Sequence, residues 1–198
     1  RATHDPLTGL ANRHLFLQEL SRTLSNADRR GRPPAVIYID LDRFKVINDS
    51  LGHAVGDRLV EVIADRIRST IRQSDVAARL GGDEFSVIAR EASSLEAWAL
   101  AGRLLDAIGQ PVDLGDATVV VTASIGIVIG GPASTAEDML RDADASMYRA
   151  KEGGRNRIVE FSQQVRDEAL SRLIVESELR DALARDELVL HYQPQVDV

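Results

Sequence analysis

Arg79-Leu80-Gly81-Gly82-Asp83-Glu84-Phe85 joins two runs of strand-forming residues, Val76 to Leu80 and Glu84 to Ala89. Its paired glycines let the chain turn tightly without side-chain interference, so the stretch reads as a hairpin with two acids at its tip. Taken alone, such a turn is more often a charged surface feature than a site. Its weight comes from a second acidic strand end. After the Pro33-Pro34 breaker, Ala35-Val36-Ile37-Tyr38-Ile39-Asp40 is a continuous apolar, β-branched run that reads as a buried strand, and it ends at Asp40 and Asp42. Two residues apart in extended chain, those carboxylates share a face. Hard oxygen donors delivered by two strand ends point to Mg²⁺, which takes one or two carboxylates and leaves the rest of its shell to substrate phosphates and water.

Working outward, Leu59, Ile63, Ile67 and Ile71 recur every four residues, and the spacing predicts an amphipathic helix from Arg58 to Ile71. A second helix is expected over roughly Ser94 to Ile108. Ala117 to Ile129 reads as one long strand, pairing with Val112 to Leu114 through a Gly115-Asp116 turn. Thr135, with Asp138 three positions on, marks the start of another helix that Gly153-Gly154 ends. Ile158 to Phe161 is a last strand. Hairpins mixed irregularly with helices predict an α+β fold, a mostly antiparallel central sheet flanked by helices.

The 198 residues are 44% hydrophobic and 28% charged, which suits one globular domain and an appendage. Acids outnumber bases 31 to 24, a net charge of −7, which disfavours nucleic acid as a partner. With no cysteine, disulfides, thiolate metal sites and cysteine nucleophiles are excluded. No apolar run reaches the ~18 residues of a membrane span, so a cytoplasmic domain is expected, one that upstream segments could tether to a membrane. Near the acids lie bases suited to phosphate: Lys45, and Lys151, Arg155 and Arg157 around Gly153-Gly154. Singly, each would be ordinary solvated charge.

Five motifs in order give the chain its resemblance to the GGDEF domain, the diguanylate cyclase family. They are Asp5-Pro6-Leu7-Thr8-Gly9-Leu10 with Asn12-Arg13; Asp40-Leu41-Asp42-Arg43-Phe44-Lys45 with Asn48-Asp49; Gly52-His53 with Gly56-Asp57; Gly81 to Phe85; and Tyr148 with Ala150-Lys151 and Gly154-Arg155-Asn156. The resemblance covers about residues 1 to 162 and implies a fold like the nucleotidyl cyclase and polymerase palm. It implies that Asp40, the Leu41 carbonyl, Asp83 and Glu84 bind Mg²⁺ or Mn²⁺. Asp83, Glu84, Lys45 and Lys151 would be the catalytic groups, and Asn48, Asp57, Phe44 and Arg155 would bind GTP. A carboxylate at Asp57 can accept from both the ring N–H and the amine of guanine, a pair that adenine does not offer. Asp5 and Arg79 resemble a structural pair bracing the hairpin.

His53, in the glycine-rich turn Gly52 to Gly56, reads as an ordering residue rather than a base, and Thr8, Gly9 and Asn12 as turn and cap residues. Arg72-Gln73-Ser74-Asp75 is separated from Gly81 by five residues, Val76 to Leu80, the spacing of the family's inhibitory site for cyclic di-GMP, with Arg103 resembling the arginine that a partner domain adds.

A second resemblance lies in the tail. Leu179 to Leu183 followed by Glu187-Leu188-Val189-Leu190-His191-Tyr192-Gln193-Pro194 looks like the opening of an EAL domain, the cyclic di-GMP phosphodiesterase family. Residues 163 to 186 would be a linker helix and 187 to 198 the cut beginning of that downstream domain. The expected activity is condensation of two GTP into cyclic di-GMP and pyrophosphate by a homodimer, with product feedback. The alternatives are a GTP-binding domain that regulates the EAL phosphodiesterase and, more weakly, a cyclase of relaxed purine preference.

Overall fold

A computed structural model describes residues 3–162, apart from 31, 116 and 132, together with 175, 182, 183, 185 and 187. The chain divides into two compact units, Arg1–Ser162 and Gln163–Val198. The linker helix and the start of an EAL domain expected for the second fall almost entirely outside the described residues.

Strand β1 (Ala35–Leu41) is buried at all seven positions, as a strand covered on both faces must be. It lies at the centre of a five-stranded sheet. On one side it pairs antiparallel with β3 (Glu84–Ala89), which pairs with β2 (Val76–Gly81); on the other it pairs antiparallel with β6 (Ala123–Ile129). Only β7 (Arg157–Glu160) runs parallel to its neighbour β6. Between β3 and β6 in sequence, β4 (Val112–Asp113) and β5 (Thr118–Val119) form a separate small hairpin. The outer edge of β2 is partly covered by Ala11, whose N–H reaches the Ala77 carbonyl at 3.3 Å and whose carbonyl accepts from Arg79 at 2.9 Å.

Alternation along β1 divides the core in two. Ile37, Ile39 and Leu41 face the helices α3 (His53–Thr70) and α4 (Ser94–Ile108). Val36 and Tyr38 face α1 (Arg13–Arg30) and α5 (Ala136–Glu152). A short helix, α2 (Phe44–Leu51), follows β1. Capping is as the sequence suggests at α5, where the Thr135 hydroxyl accepts from the Asp138 N–H at 3.1 Å. At α1 the Asn12 side chain accepts from the Leu15 N–H at 3.0 Å, and α4 starts on a Ser93/Glu96 capping box.

The elements differ from the sequence reading in three places. α3 begins five residues early, so His53 opens a helix instead of lying in a glycine turn; Gly52, at φ 87°, ends α2 and starts α3 directly. The long strand expected over Ala117 to Ile129 is two strands separated at 120–122, where the Thr122 carbonyl is taken by the Asp42 N–H at 2.8 Å. Helices α1 and α2 have no counterpart in the periodicity analysis.

Candidate active site

The hairpin tip folds over the end of β1. Asp40 lies directly opposite Glu84 in the β1/β3 register, and the Leu41 N–H donates to the Asp83 carbonyl at 3.2 Å. Acids more than forty residues apart in sequence are therefore brought together at one sheet end. The register is fixed because a slip by one residue would turn Phe85 and Val87 out of the core.

Arg79 holds the tip from below. Its Nε and Nη2 donate to the Gly82 carbonyl at 3.1 and 2.8 Å, and its Nη1 pairs with Asp5 at 3.2 Å. Asp5 in turn accepts from the N–H and hydroxyl of Thr8 at 2.9 and 2.7 Å. Burial works to raise the Asp5 pKa, but the Thr8 hydrogen bonds and Arg79 outweigh it and hold the carboxyl below its usual range. The brace expected between Asp5 and Arg79 is thus present.

Lys151 reaches the cluster because α5 lies tight on the sheet. A Cβ on Gly126, in β6, would come within 2.0 Å of the Ala143 carbonyl oxygen, so only glycine admits the helix there. Lys151, in the last turn of α5, places Nζ 2.7 Å from Asp40 Oδ2. Asp40 is 5% exposed. Burial pushes its pKa up to about 6; Lys151 works against the rise, while Asp83 and Glu84 add to it.

Asp42 belongs to a different kind of structure. Its carboxylate accepts from the hydroxyls of Thr122 and Ser124, both at 2.7 Å, and from the Asn156 N–H at 3.1 Å. It ties the β5–β6 connection and the turn after α5 to the end of β1. Nothing in the spacing of Asp40 and Asp42 tells them apart.

The remaining predicted positions are distributed around this centre. Lys45 is exposed on α2, Asp57 is exposed in the first turns of α3, and Arg155 is exposed in the turn after α5 with φ 63°. Asn48 packs over Gly56, where a Cβ would come within 1.8 Å of Oδ1, and that oxygen is buried without a hydrogen-bond partner. Phe44 is a core residue at the same spot, so it can shape this corner only from beneath. Arg43 and Arg155 line a cavity of about 390 Å³ between α2, residues 120–122 and the turn after α5.

Arg72 and Asp75 occupy the turn between α3 and β2. The Asp75 carboxylate accepts from the backbone N–H of Arg72 at 3.1 Å and of Arg90 at 3.2 Å. Arg103 stands on the exposed side of α4.

Among the described residues, no three His, Cys, Asp or Glu side chains form a ready cage for an ion. The donor set nevertheless fits a hard divalent cation. Asp40, Asp83 and Glu84 bring carboxylates to one sheet end, and Asp40, whose pKa is raised chiefly by burial, has Lys151 as its cationic neighbour.

The GGDEF domain model, described as diguanylate cyclase, matches residues 2–157. The chain belongs to this family. It is 43% identical over 194 residues to the cyclic di-GMP phosphodiesterase NbdA of Pseudomonas aeruginosa, covering 98% of this chain and 25% of that protein. It is 42% identical over 196 residues to the bifunctional diguanylate cyclase/cyclic di-GMP phosphodiesterase MucR of the same organism, covering 98% of this chain and 29% of MucR. The chain therefore spans little more than a quarter of these relatives. Among solved structures, the isolated GGDEF domain of YfiN (TpbB) from Pseudomonas aeruginosa superposes with a TM-score of 0.81 at 41% identity, covering 84% of this chain and 99% of that one. The α+β fold with its mixed sheet is that of GGDEF structures. Among the described residues no helix is long and apolar enough to cross a membrane.

Proposed function

We propose that this domain is a divalent-metal-dependent diguanylate cyclase, converting two GTP into cyclic di-GMP and two pyrophosphates. The observation that carries the reading is the gathering of Asp40, Asp83 and Glu84 beside Lys151 at one sheet end. When bound there, Mg²⁺ or Mn²⁺ would supply charge neutralisation at the reacting phosphate and acidify a coordinated hydroxyl. Asp40, Asp83, Glu84 and the Leu41 carbonyl would hold it.

The chain's own groups do the rest by positioning. Lys45, Lys151 and Arg155 draw in and orient the triphosphate, and Lys151 is then free to exchange its contact with Asp40 for a phosphate oxygen. Asn48 and Asp57 read the guanine edge. Cyclic di-GMP has two equivalent 3′–5′ links, whereas one domain offers one 3′-hydroxyl and one α-phosphate. Two domains must therefore face each other, and the active form is a homodimer. Arg72, Asp75 and Arg103 constitute a product site that limits turnover, with the Arg72 and Arg103 side chains open to solvent and Asp75 already fixing the turn.

The test is the domain fused to a dimeric coiled coil and given GTP with Mg²⁺. Pyrophosphate and cyclic di-GMP are expected, with no product from Asp83→Ala and weaker product inhibition in Arg72→Ala. A second reading, a GTP-binding regulator of a downstream EAL phosphodiesterase, is favoured by the likeness to NbdA, a protein named for phosphodiesterase activity. GTP binding without product from the fused dimer would establish it.

A further inference from the structure

Helix α4 is apolar on two sides. One side, with Ala97, Leu100, Ala101, Leu104 and Ile108, is buried in the core. The opposite side carries Leu95, Trp98, Ala99 and Gly102, whose i, i+3, i+4, i+7 spacing makes one continuous stripe. There Leu95 is 81% and Trp98 39% exposed, and a Cβ on Gly102 would meet nothing within 4 Å. A helix covered on one side only carries polar residues on the other; this outer face has the composition of one that is covered as well.

Trp98 is already fixed in place. Its indole N–H donates to Glu160, the last residue of β7, and the Ser94 hydroxyl donates to both oxygens of the same carboxylate at 2.9 and 3.1 Å. A large ring held before any partner arrives lowers the ordering cost of binding. Glu160 is level with Ile127 of β6 and so with Ile37 of β1, three residues back along the sheet from Asp40. Trp98 is thus anchored away from the acidic sheet end that the facing domains of the cyclase reading would share.

The stripe is complementary to itself. Its large residues, Leu95 and Trp98, stand towards the N-terminus of α4, and its small ones, Ala99 and Gly102, follow them. A second α4 laid antiparallel, with a two-fold axis between Trp98 and Ala99, sets each large residue against a small one. Charge agrees with the same register. Glu96 and Arg103, both exposed, are seven residues apart on one flank of the stripe, so each Glu96 comes alongside the Arg103 of the other copy. Glu96 makes its side-chain bonds to Ser93 through Oε2, which leaves Oε1 for a cation, and among the described residues Arg103 has no ion pair.

We propose that the outer face of α4 is a docking surface for a second copy of this chain, the two helices lying antiparallel across the stripe. Leu95 and Trp98 supply the apolar anchors, and the two Glu96/Arg103 pairs at the rim fix the register. The contact is direct and needs no nucleotide.

The test is self-association of the nucleotide-free 198-residue chain, followed by sedimentation across a range of concentrations and by the emission of Trp98, the single tryptophan. A monomer–dimer equilibrium is expected, with the emission moving to shorter wavelength as the dimer fills, because the indole leaves water. Ala99→Glu, at an exposed helix position, should weaken association at least about tenfold by setting two like charges at the axis. Arg103→Glu should weaken it roughly three- to tenfold through repulsion from the other copy's Glu96, and high salt should shrink that loss. A chain that stays monomeric at every concentration overturns the assignment. So does a dimer that leaves the Trp98 emission unchanged or that neither substitution weakens, since its contact then lies elsewhere. Thermal melts check that both variants keep the fold. With no GTP present, the result is independent of the cyclase reading.

Discussion

Asp40 and Asp42 are two residues apart, equally buried, and opposite in character. Asp42 is saturated by two hydroxyls and one backbone N–H and binds three chain segments together. Burial raises the pKa of Asp40 to about 6, with one ammonium working against the rise and two like charges adding to it. A buried carboxylate that is fully hydrogen-bonded adds to stability, whereas one left among acids is a cost retained for chemistry. The difference separates a structural node from the proposed reactive centre where the chain alone presents a repeated Asp.

The comparison can be broken most sharply through turnover. Asp83→Ala, which strips the Asp40 cluster of one acid, should lower cyclase activity by at least about 10³-fold with little change in melting temperature. The converse test is Asp42→Ala, which leaves two hydroxyls and an N–H without an acceptor. It should destabilise the domain by roughly 3–4 kcal/mol in urea titrations. A small loss there would mean that Asp42 is not the node its hydrogen bonds describe.

Titration sharpens the same contrast. For Asp40 the folded pKa lies above the unfolded one, so the folded state binds more protons between pH about 4 and about 6. Metal-free stability should therefore fall as pH rises through that window, by no more than about 3 kcal/mol, and level off above it. Mg²⁺ should flatten the fall. Asp5 has the opposite sign: its folded pKa is depressed, so its contribution is complete above the unfolded value of 3.8 and lost as pH falls below it. Asp5→Ala should cost about 1–2 kcal/mol and loosen the hairpin tip. Its effect should vanish in acid, measurable as converging melting curves of the two chains.

Strands β1, β2 and β3, the β4/β5 hairpin, and helices α4 and α5 were legible because each carries a local signal: an all-apolar run, a glycine turn, or a cap before an apolar stripe. Helices α1 and α2 were missed, and α3 was entered late. Glycines at 52 and 56 read as a loop, yet Gly56 is a helical residue made necessary by Asn48 packing against it. The convergence of Asp40 with Asp83 was expected from two acidic strand ends and five ordered motifs. The Lys151 contact with Asp40 was not, because it depends on how closely α5 approaches at Gly126.

Taken by itself, the sequence determined the fold class, the family and the identity of the acids, since periodicity, turn chemistry and motif order are local properties of the chain. Tertiary structure decided which of two neighbouring aspartates is spent on the scaffold and which is left charged beside a lysine. Those outcomes depend on which strands and helices meet, and a carboxylate's energy depends on the groups around it in space rather than on its neighbours in sequence.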